Sequence, residues 1–276
     1  MPLSDLFASG LLNEPYIFFD VETTGLYPLE NDRIIEIAMV KTKNGVVVDK
    51  LEYLFNPCRD IPESASKVNN ISDDMVKDAP KFSYDIAKEI LSFIKDHTLV
   101  AHNASFDLNF LSYEIGRTTL WFEKWSAIDT LKLAKTINPN LPKYKLSYMM
   151  QFYSVEAKGT LHRAINDTIG LQELFFAMLN EPSISTKSVE HLIKNYGFTG
   201  KVMPHDIPSF IREPLICQEE IHTKYKSRNN NILDLNLKLL APIWHNKSWF
   251  ILARDLDKDN ICILNPSNFI NEEQSF

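Results

Sequence analysis

Tyr16-Ile17-Phe18-Phe19-Asp20-Val21-Glu22-Thr23-Thr24-Gly25 is an apolar, aromatic run that ends in acids and then a turn. Four large apolar residues in succession suit a strand buried on both faces, and the acids mark the edge at which such a strand meets solvent. Asp20 and Glu22 stand two apart, so on a strand their side chains leave the same face and can share a cation. Thr23-Thr24-Gly25 then lets the backbone turn away. An acidic pair of this kind also occurs at ordinary solvated strand ends, so the rest of the chain has to decide between the two.

Outward from that run, residues 33–43 read as a second strand. Asn44-Gly45, a strong hairpin signal, joins it to a third over 46–55, which makes an antiparallel meander. Residues 57–80, with Pro57, Pro62 and Pro80, predict a long loop with one short helical turn. Ile86, Ile90, Leu91 and Ile94 form a helical stripe within 83–95, and 98–101 follows as a short buried strand. A helix over 105–117, a last strand at 127–129 and helices over 131–136, 145–153 and 163–179 complete the series. This order predicts an α/β fold with a mixed five-stranded sheet flanked by helices. Active sites in such sheets gather at strand ends.

Beyond residue 181 the punctuation changes. Pro182, Pro204, Pro208 and Pro214 and the polar stretch 227–231 predict an irregular segment, and the alternating pattern from Leu233 to Asp255 predicts half-buried antiparallel strands. The chain of 276 residues is long enough for two units. The expected division is a first domain over 1–181 and a small β-rich accessory module over 182–276.

Hydrophobic residues make up 45% of the chain and charged residues 24%, which is ordinary for a globular protein and excludes disorder as the default. The net charge of -7 argues against a surface that grips phosphates by basic excess alone. The acidity sits in the first part, where residues 1–180 hold 24 Asp+Glu against 18 Lys+Arg. Clustered carboxylates that take up divalent cations reconcile that excess with a polyanionic substrate, because the bound ions invert the local charge. Three widely separated cysteines, Cys58, Cys217 and Cys262, show neither zinc-site nor disulfide spacing. No export signal and no apolar stretch of 18 residues is visible. A reduced, cytoplasmic setting without membrane contact is the expectation.

Two further segments carry chemistry. In His102-Asn103-Ala104-Ser105-Phe106-Asp107, the aspartate falls in the first turn of a helix that Ser105 or Asn103 can cap. In His162-Arg163-Ala164-Ile165-Asn166-Asp167, the histidine and the aspartate are five apart, hence about 140 degrees apart on one helix. They serve one site only if His162 lies in the loop before the helix, where Gly159 frees the chain to swing it inward. A histidine placed in that way suits a general base for water activation. His97 and His102 have no metal-ligand spacing, and ordinary packing or capping roles are expected of them.

Together, and in this order, the segments Asp20-Val21-Glu22-Thr23-Thr24-Gly25, His102 to Asp107 and the His162/Asp167 pair resemble the three motifs of the DEDDh, or DnaQ-like, exonucleases. The resemblance runs from about Tyr16 to about Leu179 and includes Asp129-Thr130 after the last strand. It departs at Asn69-Asn70-Ile71, where many relatives carry histidine-glycine. It implies a ribonuclease H-like sheet and 3′-to-5′ removal of nucleoside 5′-monophosphates from DNA, or RNA, ends. Asp20, Glu22, Asp107 and Asp167 are then expected to hold two Mg²⁺ or Mn²⁺ ions, and His162 to deprotonate the attacking water. Thr23, Thr24 and Leu26 are expected at the terminal nucleotide, with Asn103 and Phe106 as further candidates. The alternative is a catalytically silent nucleic-acid-binding module on the same fold, which the intact acids disfavour.

Two fainter likenesses remain. Gln172 to Phe176 resembles a sliding-clamp peptide, yet it lies in the Asp167 helix, where Leu174 and Phe175 are expected in the core. The strands around Trp249-Phe250-Ile251 are similar in pattern to the end of a WYL domain, with phenylalanine-isoleucine replacing tyrosine-leucine. A docking module for a polymerase or another protein is the broader expectation for that part.

Overall fold

In the computed structural model, which describes residues 10–156, 163–184 and 188–270, the acid-tipped run is β1 (Tyr16–Thr23). It is flanked on one side by the antiparallel meander of β2 (Ile34–Lys43) and β3 (Val46–Leu54). Asn44 and Gly45 both adopt positive φ, 54° and 72°, as the tight turn requires. On its other side β1 pairs in parallel with β4 (Thr98–Ala101), and β4 in parallel with β5 (Lys124–Asp129).

The loop after β3 holds two short helices, α1 (Glu63–Asn69) and α2 (Asp73–Val76), where a single turn is expected from the prolines. The crossover helices are α3 (Tyr84–Ile94) before β4 and α4 (Ala104–Arg117) after it. α5 (Thr130–Ile137), α6 (Leu146–Phe152) and α7 (Ala164–Leu179) follow β5. The two faces of β1 bury against different helices. Tyr16 and Phe18 pack on Phe175 and Phe176 of α7, with ring centroids 5.3–6.1 Å apart, while Ile17, Phe19 and Val21 join the core formed with α3 and α4.

The strand count expected from sequence needs a correction, because the first sheet has six strands in the order β3-β2-β1-β4-β5-β6. The sixth, β6 (Gly197–Lys201), runs antiparallel along β5 and follows α8 (Val189–Tyr196). The stretch expected to be irregular up to residue 232 therefore carries α8, β6, α9 (Ser209–Cys217) and β7 (Glu220–Lys226). Gly197-Phe198-Thr199-Gly200-Lys201 lacks apolar alternation. It is a strand because the open edge of β5 supplies its hydrogen bonds, and its glycines allow close approach: a Cβ on Gly200 would lie 2.3 Å from the Trp125 ring.

The second sheet is antiparallel, in the order β10-β9-β8-β7-β11. Its long members are β8 (Ile232–His245) and β9 (Ser248–Asp255), with β10 (Asn260–Leu264) and β11 (Phe269–Ile270) at the edges. Leu235, Leu237 and Leu239 face Ile207, Ile211 and Leu215, so α9 covers this part of the sheet. The register then shifts between Leu239 and Ala241, and past the shift Ile243 and Leu252 face Tyr113 of α4 instead. One inserted residue thus turns a strand from its own helix toward the first domain. Gln172, Leu174 and Phe175 are buried in α7, as core residues and not as an exposed peptide.

Candidate active site

Alternation along β1 places Tyr16, Phe18, Asp20 and Glu22 on the face that α7 covers. The helix runs back along the strand. From Phe175 to Asp167 it rises about 12 Å, close to the roughly 13 Å from Phe18 to Glu22 along the strand. The aromatic anchors therefore bring Asp167 level with the two acids of β1. Ligand oxygens of Asp20, Glu22 and Asp167 all lie within 4.8 Å of one another.

Asp107 arrives from the other side. β4 pairs with β1 only as far as Val100, and beyond that point the edge of β1 needs another acceptor. The first turn of α4 supplies it, as the Val21 N–H donates to Asp107 Oδ1 at 3.2 Å across a buried contact. Asn103, at the N-cap of α4, holds a left-handed conformation at φ 74° and makes no side-chain cap, which corrects the expected capping role. Its backbone N–H donates instead to Asp129 Oδ1 at 3.0 Å, an oxygen that also accepts from the Leu131 N–H. Asp129 thus ties the start of α4 to the start of α5.

The acids crowd one another. Burial, then Asp107, Glu22, Asp167 and Glu36, all push the Asp20 carboxyl well above its ordinary range. Burial, then Asp167 and Glu36, raise Glu22 to about 7. Asp107 is pushed up to about 8, chiefly by burial, against the lowering effect of its backbone hydrogen bonds. Every charge acting on Asp20 is negative, and the donors are all hard oxygens. Such a set fits Mg²⁺ or Mn²⁺, whose charge would relieve the repulsion.

Glu36 was not singled out by sequence reasoning. It lies opposite Glu22 in the β1–β2 register, is 1% exposed, and accepts from Arg163 Nη2 at 2.7 Å and Nε at 2.9 Å. Its other oxygen accepts from the Ala164 N–H at 2.9 Å, a carboxylate at the N-terminus of α7. It clamps the helix that carries Asp167. The signal available in sequence was a lone charge within the apolar first part of β2, Ile34-Ile35-Glu36-Ile37-Ala38-Met39-Val40.

The turn after β1 is held by its own hydroxyls. Thr23 Oγ1 donates to the Gly25 carbonyl at 2.6 Å, and Thr24 Oγ1 donates to Asp32 Oδ1 at 3.2 Å while accepting from the Arg33 N–H at 3.0 Å. Asn69, in the departure from the family pattern, is buried and reaches the Thr23 carbonyl at 3.3 Å. Leu26 projects outward, 65% exposed, and Phe106 is half-buried. His102 bonds Thr130 and the Tyr144 carbonyl, a structural role as expected. His162 lies outside the described residues.

A family model described as Exonuclease (RNase_T) matches residues 17–175, a span that begins on β1 and ends on α7. The chain belongs to this exonuclease family. Among curated relatives, the PolC-type DNA polymerase III of Staphylococcus saprophyticus is 40% identical over 166 residues, or 60% of this chain, and that of Staphylococcus epidermidis is 38% identical over 172 residues. The chain spans only 11% and 12% of the length of these relatives. Among solved structures, Exonuclease X in complex with 5′-overhanging duplex DNA is 26% identical at a TM-score of 0.51, covering 65% of this chain and 98% of its own. The E. coli ExoI–single-stranded DNA complex in a zinc-bound form, 17% identical at a TM-score of 0.56, shares the fold over 88% of this chain and 55% of its own. A match of that extent reaches into the second sheet. The protein is thus a nuclease of α/β, ribonuclease H-like fold, with an acidic cluster at its centre. Among the described residues, no helix is long and apolar enough to cross a membrane.

Proposed function

We propose that the protein is a 3′-to-5′ exonuclease that releases nucleoside 5′-monophosphates from a nucleic-acid 3′ end, with DNA as the preferred polymer. The observation that carries this reading is the convergence of Asp20, Glu22 and Asp167 within 4.8 Å, with Asp107 held against the same strand. The relation to the polymerase sequences supports DNA as substrate and a role in replication or repair.

In this scheme Asp20, Glu22, Asp107 and Asp167 hold two divalent cations, Mg²⁺ or Mn²⁺, which supply charge stabilisation to the attacking and departing oxygens. The remaining steps belong to the chain. His162, neutral near pH 7, takes a proton from the attacking water. The water oxygen bonds to the last phosphorus, and the bond from that phosphorus to the 3′ oxygen of the preceding nucleotide breaks. The departing 3′ oxygen takes a proton from solvent, so the shortened strand ends in a 3′-OH and the released nucleotide keeps its 5′-phosphate. Glu36 and Arg163 hold the start of α7, and so fix the helix that carries Asp167. Leu26 wedges against the terminal base, and the backbone at Thr23 and Thr24 receives the terminal 3′-OH. Asn103 and Phe106 border that nucleotide.

We place the nuclease unit at about 1–181 and an accessory unit at 182–276, with β6 lent by the latter to the first sheet. Docking of a polymerase or another protein is the role proposed for the accessory unit. The test of the whole reading uses 3′-labelled and 5′-labelled single-stranded DNA and RNA, with Mg²⁺, Mn²⁺ or EDTA, beside Asp20→Ala. Stepwise shortening from the 3′ end that needs both metal and Asp20 is the expected result. Internal cutting, 5′ release, or full activity in Asp20→Ala would overturn it.

A further inference from the structure

The tip of the β8–β9 hairpin is fastened to α4. The Asn246 backbone N–H donates to Asn109 Oδ1 at 3.1 Å, and Asn109 Nδ2 donates to Asn246 Oδ1 at 3.1 Å. Just before the turn, the Trp244 N–H donates to Ser112 Oγ at 2.7 Å, and the Trp244 ring meets Trp125 edge-to-face at 5.1 Å. α4 is the helix that carries Asp107. The same helix therefore fixes both the acid and the hairpin tip.

Between the tip and the turn after β1 lies a cavity of about 260 Å³. Leu26, Tyr27, Phe106 and Phe110 wall it on the nuclease side, and His245 and Asn246 wall it on the hairpin side. None of the four acids lines it, although Phe106 adjoins Asp107 in the chain. The cavity thus shares the first turns of α4 with Asp107 and lies outside the acidic cluster. Its volume lies below the roughly 300–1,000 Å³ of sites for drug-sized ligands and suits one ring system. Leu26 and Tyr27 are 65% and 57% exposed, an apolar rim that gains from being covered.

We propose that this cavity is a nucleobase pocket, in which His245 of the second sheet forms the wall against which the base preceding the released nucleotide stacks. Aromatic side chains hold unpaired bases in this way regardless of sequence. His245 is braced by Phe250, with ring centroids 6.3 Å apart, and by Asn246 Nδ2 at 3.0 Å. Burial lowers its pKa, so near pH 7 the ring meets the strand as a neutral surface and not as a phosphate-binding cation. A base drawn into a cavity of this size has left the stack of a duplex, so the pocket favours an unpaired 3′ end. The assignment rests on the exonuclease reading for the direction of the strand.

The test measures binding of fluorescent single-stranded DNA by the full chain in EDTA, where nothing is cut, using oligonucleotides with a normal or an abasic penultimate position. The abasic change is expected to weaken wild-type binding by between about fivefold and a hundredfold. His245→Ala is expected to weaken binding of the normal strand by a similar factor and to make the abasic change nearly silent. His245→Phe, which keeps an aromatic face, is expected to restore both. Losses that multiply independently, an abasic change that leaves wild-type affinity intact, or no measurable binding would overturn the pocket. Failure of the exonuclease reading shows separately, as absence of nucleotide release from the same normal strand by the wild type in Mg²⁺.

Discussion

β1 and β8 are the central strands of their sheets, yet they end differently. β1 has an antiparallel neighbour on one side and a parallel one on the other. β4 has β5 as a parallel neighbour in turn, and the crossover between them is α4, whose first turn stands where β4 stops. α7 comes down the other face, and three chain segments meet at the end of β1. β8 has antiparallel neighbours on both sides, and its end is a tight turn at Asn246 and Lys247, both at positive φ. A hairpin tip offers a wall but no crevice. The acids accordingly gather in the mixed sheet, and the antiparallel sheet is a surface brought alongside it.

This division can be broken most severely at its catalytic half. His162→Ala should lower turnover by about a hundredfold or more while leaving oligonucleotide binding intact, the scale on which a general base contributes. Single-turnover rates check it, and an unchanged rate removes the histidine from the mechanism. Glu36→Gln keeps the volume but loosens the clamp on Arg163 and the N-terminus of α7. Supporting groups of this kind contribute about 10–100-fold in metal affinity. The expected outcome is a rightward shift of the Mg²⁺ activation curve with the maximal rate largely recovered at saturation. A fall in the maximal rate alone would place Glu36 elsewhere in the mechanism.

The pH dependence of stability sets the two sheets against each other. With Glu22 at about 7 and Asp107 at about 8, the folded state keeps protons that the unfolded chain releases near pH 4. The native state then binds more protons between about pH 4 and pH 8, so metal-free stability falls as pH rises through that window. In the second sheet, Asp255 accepts from Lys258 Nζ at 3.0 Å and from two backbone N–H groups, which hold its carboxyl below the usual range. Its contribution is present above the ordinary carboxylate range and is lost as pH falls through the lowered pKa. Thermal unfolding in EDTA at pH 5.5 and pH 8 should show the lower Tm at pH 8, with added Mg²⁺ removing most of the difference. A higher metal-free Tm at pH 8 would contradict the crowding of the acids.

The smallest effect is expected at the seam. Gly116→Ala raises the intrinsic helix propensity of α4 by about 1 kcal/mol, but its Cβ would lie 2.5 Å from Ile243 Cγ2, on a stiff β-branched side chain. Overpacking costs about 1–3 kcal/mol. The overpacking outweighs the propensity gain by about 1 kcal/mol, and a fall in Tm of a few degrees is expected. A clear rise in Tm would mean that the second sheet yields without resistance.

Much of the first sheet was legible because its signals are local. The apolar run into Asp20 and Glu22, the Asn44-Gly45 turn and the stripe over α3 each lie within a dozen residues. β6 was not legible, because Gly197 to Lys201 becomes a strand only by lying along β5. The bulge after Leu239 was legible only in part: Leu239-Leu240-Ala241 interrupts the alternation, but only the facing helices show that the buried side has changed.

By itself, then, the sequence determined the kinds of element, the chemical character of the acids and their pairing on one strand face, all of which follow from periodicities of two and 3.6 residues. Tertiary structure decided which groups act together. Glu36 meets Arg163 across 127 residues, Asp107 meets Val21 across 86 and Ser112 meets Trp244 across 132. No spacing in the chain encodes those encounters. They follow from the burial of Tyr16 and Phe18 under α7, from the parallel crossover into α4 and from the bulge that turns β8 onto that helix, and each of these is settled only when the faces close on one another.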